Sequence, residues 1–398
     1  MDITIYPGKL SGTVTAIPSK SQAHRLLICA AFSDDKTYLS CPETNQDIEA
    51  TAQCLRALGA TIERTLAGYT VTPISQISTS AVLDCSESGS TLRFMLPIVG
   101  ALGVEGTFQM RGRLPQRPLS PLWEEMERMG CNLSRPTADT IHCSGKLNCG
   151  EYTIDGSVSS QFITGLLFAM ALIPGKSSLS ITGKVESKPY IQMTQCALSE
   201  FGVSNNEFQI HGNLPFHTPG NVIVEGDWSN GAFFLAAKSL GNDITVLGLD
   251  PVSPQGDKAV TTALADLVQD AIISAADIPD LVPILSVVAG ARHGGTFTDV
   301  GRLRLKESDR VETVAAMMRN LGATVDVVGE TLQVFPGQYH SCTIDSAGDH
   351  RIAMAAAIAA TVADGPVTIR GAECVSKSYP AFWQEFRRLG GQYEQHLR

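Results

Sequence analysis

Several cations stand where helices are predicted to begin, a place that favours an anionic ligand. A helix N-terminus carries a partial positive charge, so a lysine or arginine in the first turn is normally unfavourable. The positions concerned are Lys20, Arg25, Arg93 and Arg351. Together with the exposed N–H groups of a helix start, such cations would bind phosphate or carboxylate groups. The sequence therefore predicts a protein that binds polyanionic ligands.

Further basic residues are concentrated in three segments outside the predicted helices. These segments span 111–118, 301–310 and 376–380, and the second holds four cations and two acids within ten residues. A solvated charged face would explain any one of them. It does not explain the set, because the whole chain contains only 30 Lys and Arg residues. We expect these segments to belong to the same anion-binding region.

Two helical units that alternate along the chain must position these residues, and each recurs about every 70 residues. One unit is an amphipathic helix followed by Gly and a β-like run, as at 54–62 and 318–325. The other is an apolar, Ala/Leu-rich helix followed by a turn and a strand, as at 162–181 and 352–369. Helices that are apolar on nearly every face are buried. We predict an α/β fold of six similar units, three per domain.

Composition and charge exclude several classes of protein. A chain of 398 residues with 43% apolar residues fits two or three folded domains. The net charge of −10 disfavours nucleic-acid binding, and no apolar run reaches the ~18 residues that span a bilayer. Residues 1–5 lack the pattern of a secretory signal. Ten cysteines without a C-x-x-C pair indicate reduced thiols, so we expect a cytoplasmic protein.

Metal and nucleotide sites are not indicated either. The eight histidines and ten cysteines show no spacing typical of metal ligands. No G-x-G-x-x-G motif follows a predicted strand, and no H-E-x-x-H motif is present. We therefore expect neither a metal nor a cofactor.

Seven short motifs occur in a particular order along nearly the whole chain. They are Ser19-Lys20-Ser21 with Arg25, Arg117-Pro118, Ser159-Ser160-Gln161, Ser187-Lys188-Pro189-Tyr190, Lys306-Glu307-Ser308-Asp309-Arg310, Asp349-His350-Arg351 and Ser376-Lys377-Ser378. Each motif alone is weak. In this order the set resembles the EPSP synthase family, the 3-phosphoshikimate 1-carboxyvinyltransferases among the enolpyruvyl transferases.

The resemblance implies a fold that agrees with the six predicted units. It is an α/β fold of two similar lobes, each with three βαβαββ repeats around buried helices, an inside-out α/β barrel. The active site of the family lies in the cleft between the lobes. By this likeness, residues 1–18 and 225–398 would form one lobe and residues 19–224 the other.

The resemblance also implies an activity. The family transfers the enolpyruvyl group of phosphoenolpyruvate to the 5-hydroxyl of shikimate 3-phosphate and releases phosphate, in the shikimate pathway of aromatic amino acid biosynthesis. Protonation of the alkene carbon and attack by the hydroxyl would give a tetrahedral intermediate that then loses phosphate. This course needs a general acid and a general base. We expect a monomer without a cofactor.

Site residues carry over position by position from the resemblance. Asp280 corresponds to the base and Glu307 to the acid, while Lys306 and Lys20 share the catalytic work. The shikimate 3-phosphate set is Lys20, Ser21, Arg25, Ser159, Ser160, Gln161, Ser187, Tyr190, Asp280 and Lys306. The phosphoenolpyruvate set is Lys20, Gly89, Arg117, Gln161, Arg310, Arg351 and Lys377.

Purely structural roles remain open for the two carboxylates. Asp280 follows Pro279 and could be a helix N-cap. Glu307 could form an ion pair with Arg304 or Arg310, which is compatible with a role in catalysis.

The chain departs from the family pattern at three places. Residues 87–90 read Glu-Ser-Gly-Ser where the family often has Asn-Ala-Gly-Thr. Phe94 stands where proline is common, and Arg302 replaces an asparagine found in some members. These departures leave open the affinity for phosphoenolpyruvate and one contact to shikimate 3-phosphate.

Three other functions are compatible with parts of the sequence. UDP-N-acetylglucosamine enolpyruvyl transferase shares the fold and the donor, but it usually carries a cysteine in the loop corresponding to 106–118, which has none here. A non-catalytic anion-binding protein would gain nothing from carboxylates in its site. An RNA-end-processing enzyme is disfavoured by the acidic net charge.

Overall fold

The structure is a computed structural model that describes residues 1–212 and 216–396. The expected lobes 19–224 and 225–398 also include residues 213–215 and 397–398, which lie outside the described residues. The α-helices, numbered in chain order, are α1 Lys20–Ala31, α2 Gln46–Leu58, α3 Gly89–Leu102, α4 Leu122–Arg128, α5 Ser160–Leu172, α6 Lys188–Glu200, α7 Trp228–Ser239, α8 Val260–Asp266, α9 Val282–Ala291, α10 Arg310–Leu321, α11 His350–Ala360 and α12 Phe382–Arg388.

The strands are short and lie between these helices. They are β1 Asp2–Tyr6, β2 Ser11–Thr15, β3 Thr37–Ser40, β4 Thr61–Arg64, β5 Gly68–Thr72, β6 Ser80–Asp84, β7 Glu105–Gln109, β8 Cys131–Thr137, β9 Thr140–Gly145, β10 Glu151–Asp155, β11 Gly175–Thr182, β12 Gln209–Gly212, β13 Asn221–Ile223, β14 Asp243–Leu247, β15 Ala271–Ser274, β16 Gly295–Thr298, β17 Val325–Val328, β18 Thr331–Val334, β19 Cys342–Asp345, β20 Val367–Arg370 and β21 Gln392–His396.

The chain divides into two compact units. The split unit consists of Met1–Ile17 and Glu225–Arg398, and the inserted unit consists of Pro18–Val224. Pro18 thus belongs to the inserted unit, one residue away from the boundary expected from the sequence.

Four sheets of the described chain share one arrangement of strands. Their orders are β6-β7-β9-β8, β13-β3-β5-β4, β15-β16-β18-β17 and β19-β20-β1-β21. In each sheet the first pair of neighbours is parallel and the next two pairs are antiparallel. From β6 to β9, and again from β15 to β18, the elements follow the order βαβαββ. This is the repeat that the family resemblance implied.

Alternate helices form the core of each unit. In the inserted unit α1, α3 and α5 are buried on nearly every face, and in the split unit α7, α9 and α11 are. A Cβ on Gly165 of α5 would lie 2.2 Å from the carbonyl oxygen of Arg93 in α3, so these two helices approach as only glycine permits. Within the described residues, no helix combines the length and apolar character needed to cross a membrane.

The amphipathic helices end as the sequence predicted. Gly59 follows α2 with φ +117° and Gly322 follows α10 with φ +106°, a left-handed conformation that glycine adopts without steric cost. These helices bury one face against the core and expose the other. The predicted helix-Gly-strand unit is therefore the outer layer of each repeat.

A shared turn connects strands to buried helices and sets where the helix starts lie. At three junctions of the described chain, an aspartate at the strand end accepts a 2.8 Å hydrogen bond from the backbone N–H two residues later. The pairs are Asp84–Ser86, Asp155–Ser157 and Asp345–Ala347. The N-caps that follow are Ser88, Ser159 and Asp349. These caps orient the N–H groups of α3, α5 and α11.

Candidate active site

Lys20 is the first helical residue of the inserted unit and forms an ion pair. Ser19 caps α1 through a hydrogen bond from the N–H of Gln22. Lys20 Nζ lies 2.8 Å from Oδ2 of Asp47, and both side chains are 16% exposed. Asp47 was not among the residues predicted from the sequence. The signal that could have found it is Asn45, which caps α2 and puts Asp47 in the first turn, where an acid is favoured.

Arg25 is buried and joins two predicted binding segments. Its Nη1 donates to the backbone oxygen of Ser21 at 2.5 Å, and its Nη2 donates to the backbone oxygen of Tyr190 at 2.9 Å. Its Nε donates to Thr194 Oγ1 at 2.9 Å, and that hydroxyl lies 2.8 Å from Thr164 Oγ1. Burial lowers the pKa of Arg25 to about 10, so the guanidinium stays charged at neutral pH. Thr164 and Thr194 were not predicted from the sequence, because neither lies in a recognisable motif.

Two arginines converge on Gly89 at the start of α3. A Cβ there would lie 2.5 Å from Arg117 Nη1 and 2.7 Å from Arg93 Nη1. Arg93 Nη1 donates to Gln161 Oε1 at 3.1 Å, and Gln161 Nε2 donates to Ser90 Oγ at 2.9 Å. The structure thus brings Gly89, Arg117 and Gln161 together. Arg93, which was not predicted to contact a particular substrate, also lies among them.

The remaining predicted serines lie at two helix starts. Ser159 caps α5 and accepts from the N–H of Gln161 at 3.3 Å, and Ser160 is the first residue of that helix. Ser187 precedes α6 with φ +54°, an uncommon conformation for a residue other than glycine. It is buried, and its backbone oxygen accepts from the N–H of Tyr190 at 3.1 Å. A strained backbone of this kind is typical of binding sites.

In the split unit, Arg310 binds three carboxylates. Its Nη1 lies 2.6 Å from Asp280 Oδ1, its Nη2 lies 2.7 Å from Glu307 Oε2, and its Nε lies 2.7 Å from Asp349 Oδ2. The Arg310 side chain is 1% exposed, whereas those of Asp280 and Glu307 are 17% and 25% exposed. Arg304 instead pairs with Asp309 and Glu312. Of Arg304 and Arg310, the two ion-pair partners that the sequence offered for Glu307, the structure therefore selects Arg310.

Asp280 contacts two further cations. Arg351 Nη2 lies 3.0 Å from its Oδ2, and Lys306 Nζ lies 3.4 Å from its Oδ1. The N-cap of α9 is Leu281, so Asp280 is not the helix cap that the sequence left open. Burial would raise the pKa of Asp280, but Arg351, Lys306 and Arg310 together hold it well below its usual value.

Burial also changes the proton affinity of two neighbours. It lowers the pKa of Lys306 to about 8, and the positive charge of Arg310 acts in the same direction. It raises the pKa of Asp257 to about 6, with the charge of Asp280 as the next cause. Lys306 can therefore exchange a proton near neutral pH, which an ordinary lysine does not do.

Lys377 approaches the same cluster from the last basic segment. Its Nζ donates to the backbone oxygen of Gly348 at 3.1 Å, next to the Asp349 cap of α11. Among the residues that the structure describes, no group of three or more His, Cys, Asp or Glu could hold a metal ion. The split unit thus presents cations and carboxylates whose contacts can hold an anion and move a proton.

Comparison with known proteins identifies the family. Residues 5–386 match the family described as EPSP synthase (3-phosphoshikimate 1-carboxyvinyltransferase). The chain belongs to the EPSP synthase family. It is 37% identical to the 3-phosphoshikimate 1-carboxyvinyltransferase of Clostridium kluyveri, over 99% of this chain and 98% of that one. It is 38% identical to the protein of the same name from Clostridium beijerinckii, over 99% of this chain and 98% of that one.

Solved EPSP synthase structures share the fold. The EPSP synthase of Acinetobacter baumannii superposes with a TM-score of 0.80 at 22% identity, over 99% of this chain and 100% of that one. This likeness confirms the α/β architecture predicted from the repeats and the family resemblance.

Proposed function

We propose that this member of the EPSP synthase family transfers the enolpyruvyl group of phosphoenolpyruvate to the 5-hydroxyl of shikimate 3-phosphate. The observation that carries the proposal is the attachment of Asp280 and Glu307 to one guanidinium, that of Arg310. A site that only bound anions would be weakened by two carboxylates. An addition–elimination reaction needs both, one as acid and one as base.

The cations account for substrate binding. Both substrates carry a phosphate and a carboxylate, so holding them side by side requires charge compensation. In the inserted unit we assign shikimate 3-phosphate to the group around Arg25, with Ser21 and Tyr190 beside it. We assign phosphoenolpyruvate to the arginine pair at Gly89 and, in the split unit, to Arg310, Arg351 and Lys377. Lys20 would contact both substrates.

The proposed chemistry conserves atoms and protons. Glu307 protonates the CH₂ carbon of phosphoenolpyruvate, while Asp280 accepts the proton of the 5-hydroxyl as that oxygen bonds to C2. Glu307, now ionised, takes a proton from the new methyl group of the tetrahedral intermediate as the C–O bond to phosphate breaks, and the proton held by Asp280 passes to the departing phosphate. The products are 5-enolpyruvylshikimate 3-phosphate and inorganic phosphate, and no cofactor is needed.

The charges around Asp280 suggest that substrate binding makes this carboxylate a stronger base. With three cations beside it, Asp280 binds a proton weakly. Substrate phosphate and carboxylate groups that share Arg310 and Arg351 would offset part of that positive charge and raise the proton affinity of Asp280. Lys306, whose pKa of about 8 lies near neutrality, would then take part in proton transfer to or from Asp280.

We further propose a cytoplasmic monomer whose partners are these two small molecules and neither nucleic acid nor membrane. Cys29 and Cys374 are buried free thiols, which suits a reducing compartment. The net charge of −10 gives no electrostatic attraction to nucleic acid or anionic lipid.

Phosphate release from phosphoenolpyruvate tests the proposed function. The purified protein, without added nucleotide or metal, is assayed alone, with shikimate 3-phosphate and with UDP-N-acetylglucosamine. We expect release only with shikimate 3-phosphate. Release with the nucleotide sugar instead would establish the other transferase, and no acceptor-dependent release would refute enolpyruvyl transfer.

A further inference from the structure

A chain of buried hydrogen bonds connects the first three helices of the inserted unit. His24 Nδ1 in α1 lies 2.7 Å from Thr51 Oγ1 in α2, and Thr51 Oγ1 lies 2.7 Å from Thr91 Oγ1 in α3. Thr91 Oγ1 donates to Ser88 Oγ at 2.8 Å and approaches the backbone oxygen of Asp47 at 3.4 Å. The His24, Thr51 and Thr91 side chains are fully buried. None of these three belongs to the predicted substrate contacts.

The Thr91 end of these hydrogen bonds supports a residue assigned to phosphoenolpyruvate, Gly89 at the start of α3. Ser88 is the N-cap of α3 and accepts from the N–H of Thr91, so its position fixes Gly89, the next residue. The hydrogen bonds therefore tie His24 to the helix start on which the two arginines converge.

His24 takes part in these hydrogen bonds as a neutral ring. Burial, together with the charges of Lys20 and Arg25, holds its pKa well below the ordinary value. Its Nε2 has no hydrogen-bond partner, and its ring meets that of Phe94 edge-on with centroids 6.2 Å apart. One ring nitrogen of a buried histidine is thus left unsatisfied, which costs stability and calls for a role of the ring elsewhere.

We propose that His24 is a positioning residue for the enolpyruvyl donor, acting through Thr51 and Thr91 on the N-terminus of α3. The inference rests on the proposed function. It links these hydrogen bonds to phosphoenolpyruvate, because Gly89, whose position they fix, is assigned to that substrate alone.

A second buried chain of the same unit provides a matched control. Thr164 and Thr194 lie between α5 and α6, are also fully buried, and their hydroxyls are 2.8 Å apart. That pair supports Arg25, which we assign to shikimate 3-phosphate. Replacing a threonine by valine in either chain removes one buried hydroxyl and keeps the shape of the side chain.

The test compares Thr51→Val and Thr91→Val with Thr164→Val, in the complete protein, by phosphate release with each substrate varied in turn. We expect the first two to raise the KM for phosphoenolpyruvate about tenfold, as loss of a buried hydrogen bond allows, and to leave that for shikimate 3-phosphate within about twofold. Thr164→Val should do the reverse. Equal changes in both KM values, or none, for Thr51→Val and Thr91→Val would overturn the proposal.

Two histidine variants keep the test decisive if a valine variant does not fold. Asn at position 24 can present a polar atom near the place of Nδ1, whereas Phe fills the ring volume without one. His24→Asn should retain the wild-type KM for phosphoenolpyruvate and His24→Phe should raise it. Similar KM values for the two variants would contradict the positioning role. A wild-type protein without acceptor-dependent phosphate release would refute the proposed function instead.

Discussion

Asp280 and Arg310 are joined by a hydrogen bond of 2.6 Å between carboxylate Oδ1 and guanidinium Nη1. Because Arg310 also binds Glu307 and Asp349, one buried cation fixes both proposed proton-transfer groups. Removing one partner of such a cluster leaves the others incompletely neutralised. Conservative amide substitutions, which keep a hydrogen-bonding oxygen, are therefore the most informative variants.

Asp280→Asn should lower kcat by about a thousandfold, because an amide cannot accept the hydroxyl proton. Binding of shikimate 3-phosphate should persist, since the substitution removes a negative charge from a site for anions. Steady-state rates and titration calorimetry measure the two quantities. Asp277→Asn, in the same loop but exposed, should leave both unchanged. Turnover within tenfold of wild type in Asp280→Asn would remove this residue from the role of base.

Glu307→Gln should abolish protonation of the donor. In D₂O with both substrates present, the wild-type protein should introduce deuterium into the vinyl CH₂ of the product, because the intermediate gains one proton and loses another. The glutamine variant should show both turnover and deuterium incorporation lowered by about a hundredfold or more. Glu312→Gln, three-fifths exposed and paired with Arg304, is the control and should behave as wild type. Unchanged incorporation in Glu307→Gln would show that another group is the acid.

Lys306 should set an alkaline limit to activity. Its ammonium is charged below a pKa of about 8 and neutral above it, so kcat/KM for phosphoenolpyruvate should fall as the pH rises through that value. Lys306→Arg, which stays charged, should shift this fall upward by at least about one pH unit. Lys238→Arg, on an exposed part of α7, should leave the profile unchanged. An identical profile in Lys306→Arg would assign the titration to another group.

Gly89→Ala should weaken the binding of phosphoenolpyruvate without lowering the stability of the protein. The added methyl group would lie 2.5 Å from Arg117 Nη1 and 2.7 Å from Arg93 Nη1 and would displace both guanidiniums. The KM for phosphoenolpyruvate should rise about tenfold, as loss of one charged hydrogen bond would cause. Alanine favours a helix over glycine, so the melting temperature should not fall. Gly8→Ala, where an added Cβ meets nothing within 4 Å, is the control; a normal KM in Gly89→Ala would show that the arginines do not bind the donor there.

The sequence determined much of the fold because its signals are local. Apolar Ala/Leu-rich runs predict buried helices such as α11, and Ser88 and Asp349 predict where helices begin. The glycines after amphipathic helices, such as Gly59, predict where they end. Each of these signals acts within a few residues, so no knowledge of the tertiary structure is needed.

The contacts of the candidate site were harder to predict because they join residues far apart in the chain. The partner of Lys20 comes from α2, and the hydroxyl that binds Arg25 comes from α6. Asp349 looks like an ordinary cap in the sequence, yet it also binds Arg310. Only the packing of the repeats brings these groups together, and the motif order of the family pointed to the region but not to the pairs.

The most direct test of the central claim is to measure both products of the same reaction. The complete protein is incubated with phosphoenolpyruvate and shikimate 3-phosphate, phosphate is quantified, and the organic products are analysed by mass spectrometry. Enolpyruvyl transfer predicts one molecule of shikimate 3-phosphate bearing an added enolpyruvyl group for each phosphate released. Release of phosphate with pyruvate, and without that adduct, would mean hydrolysis and would contradict the proposed function.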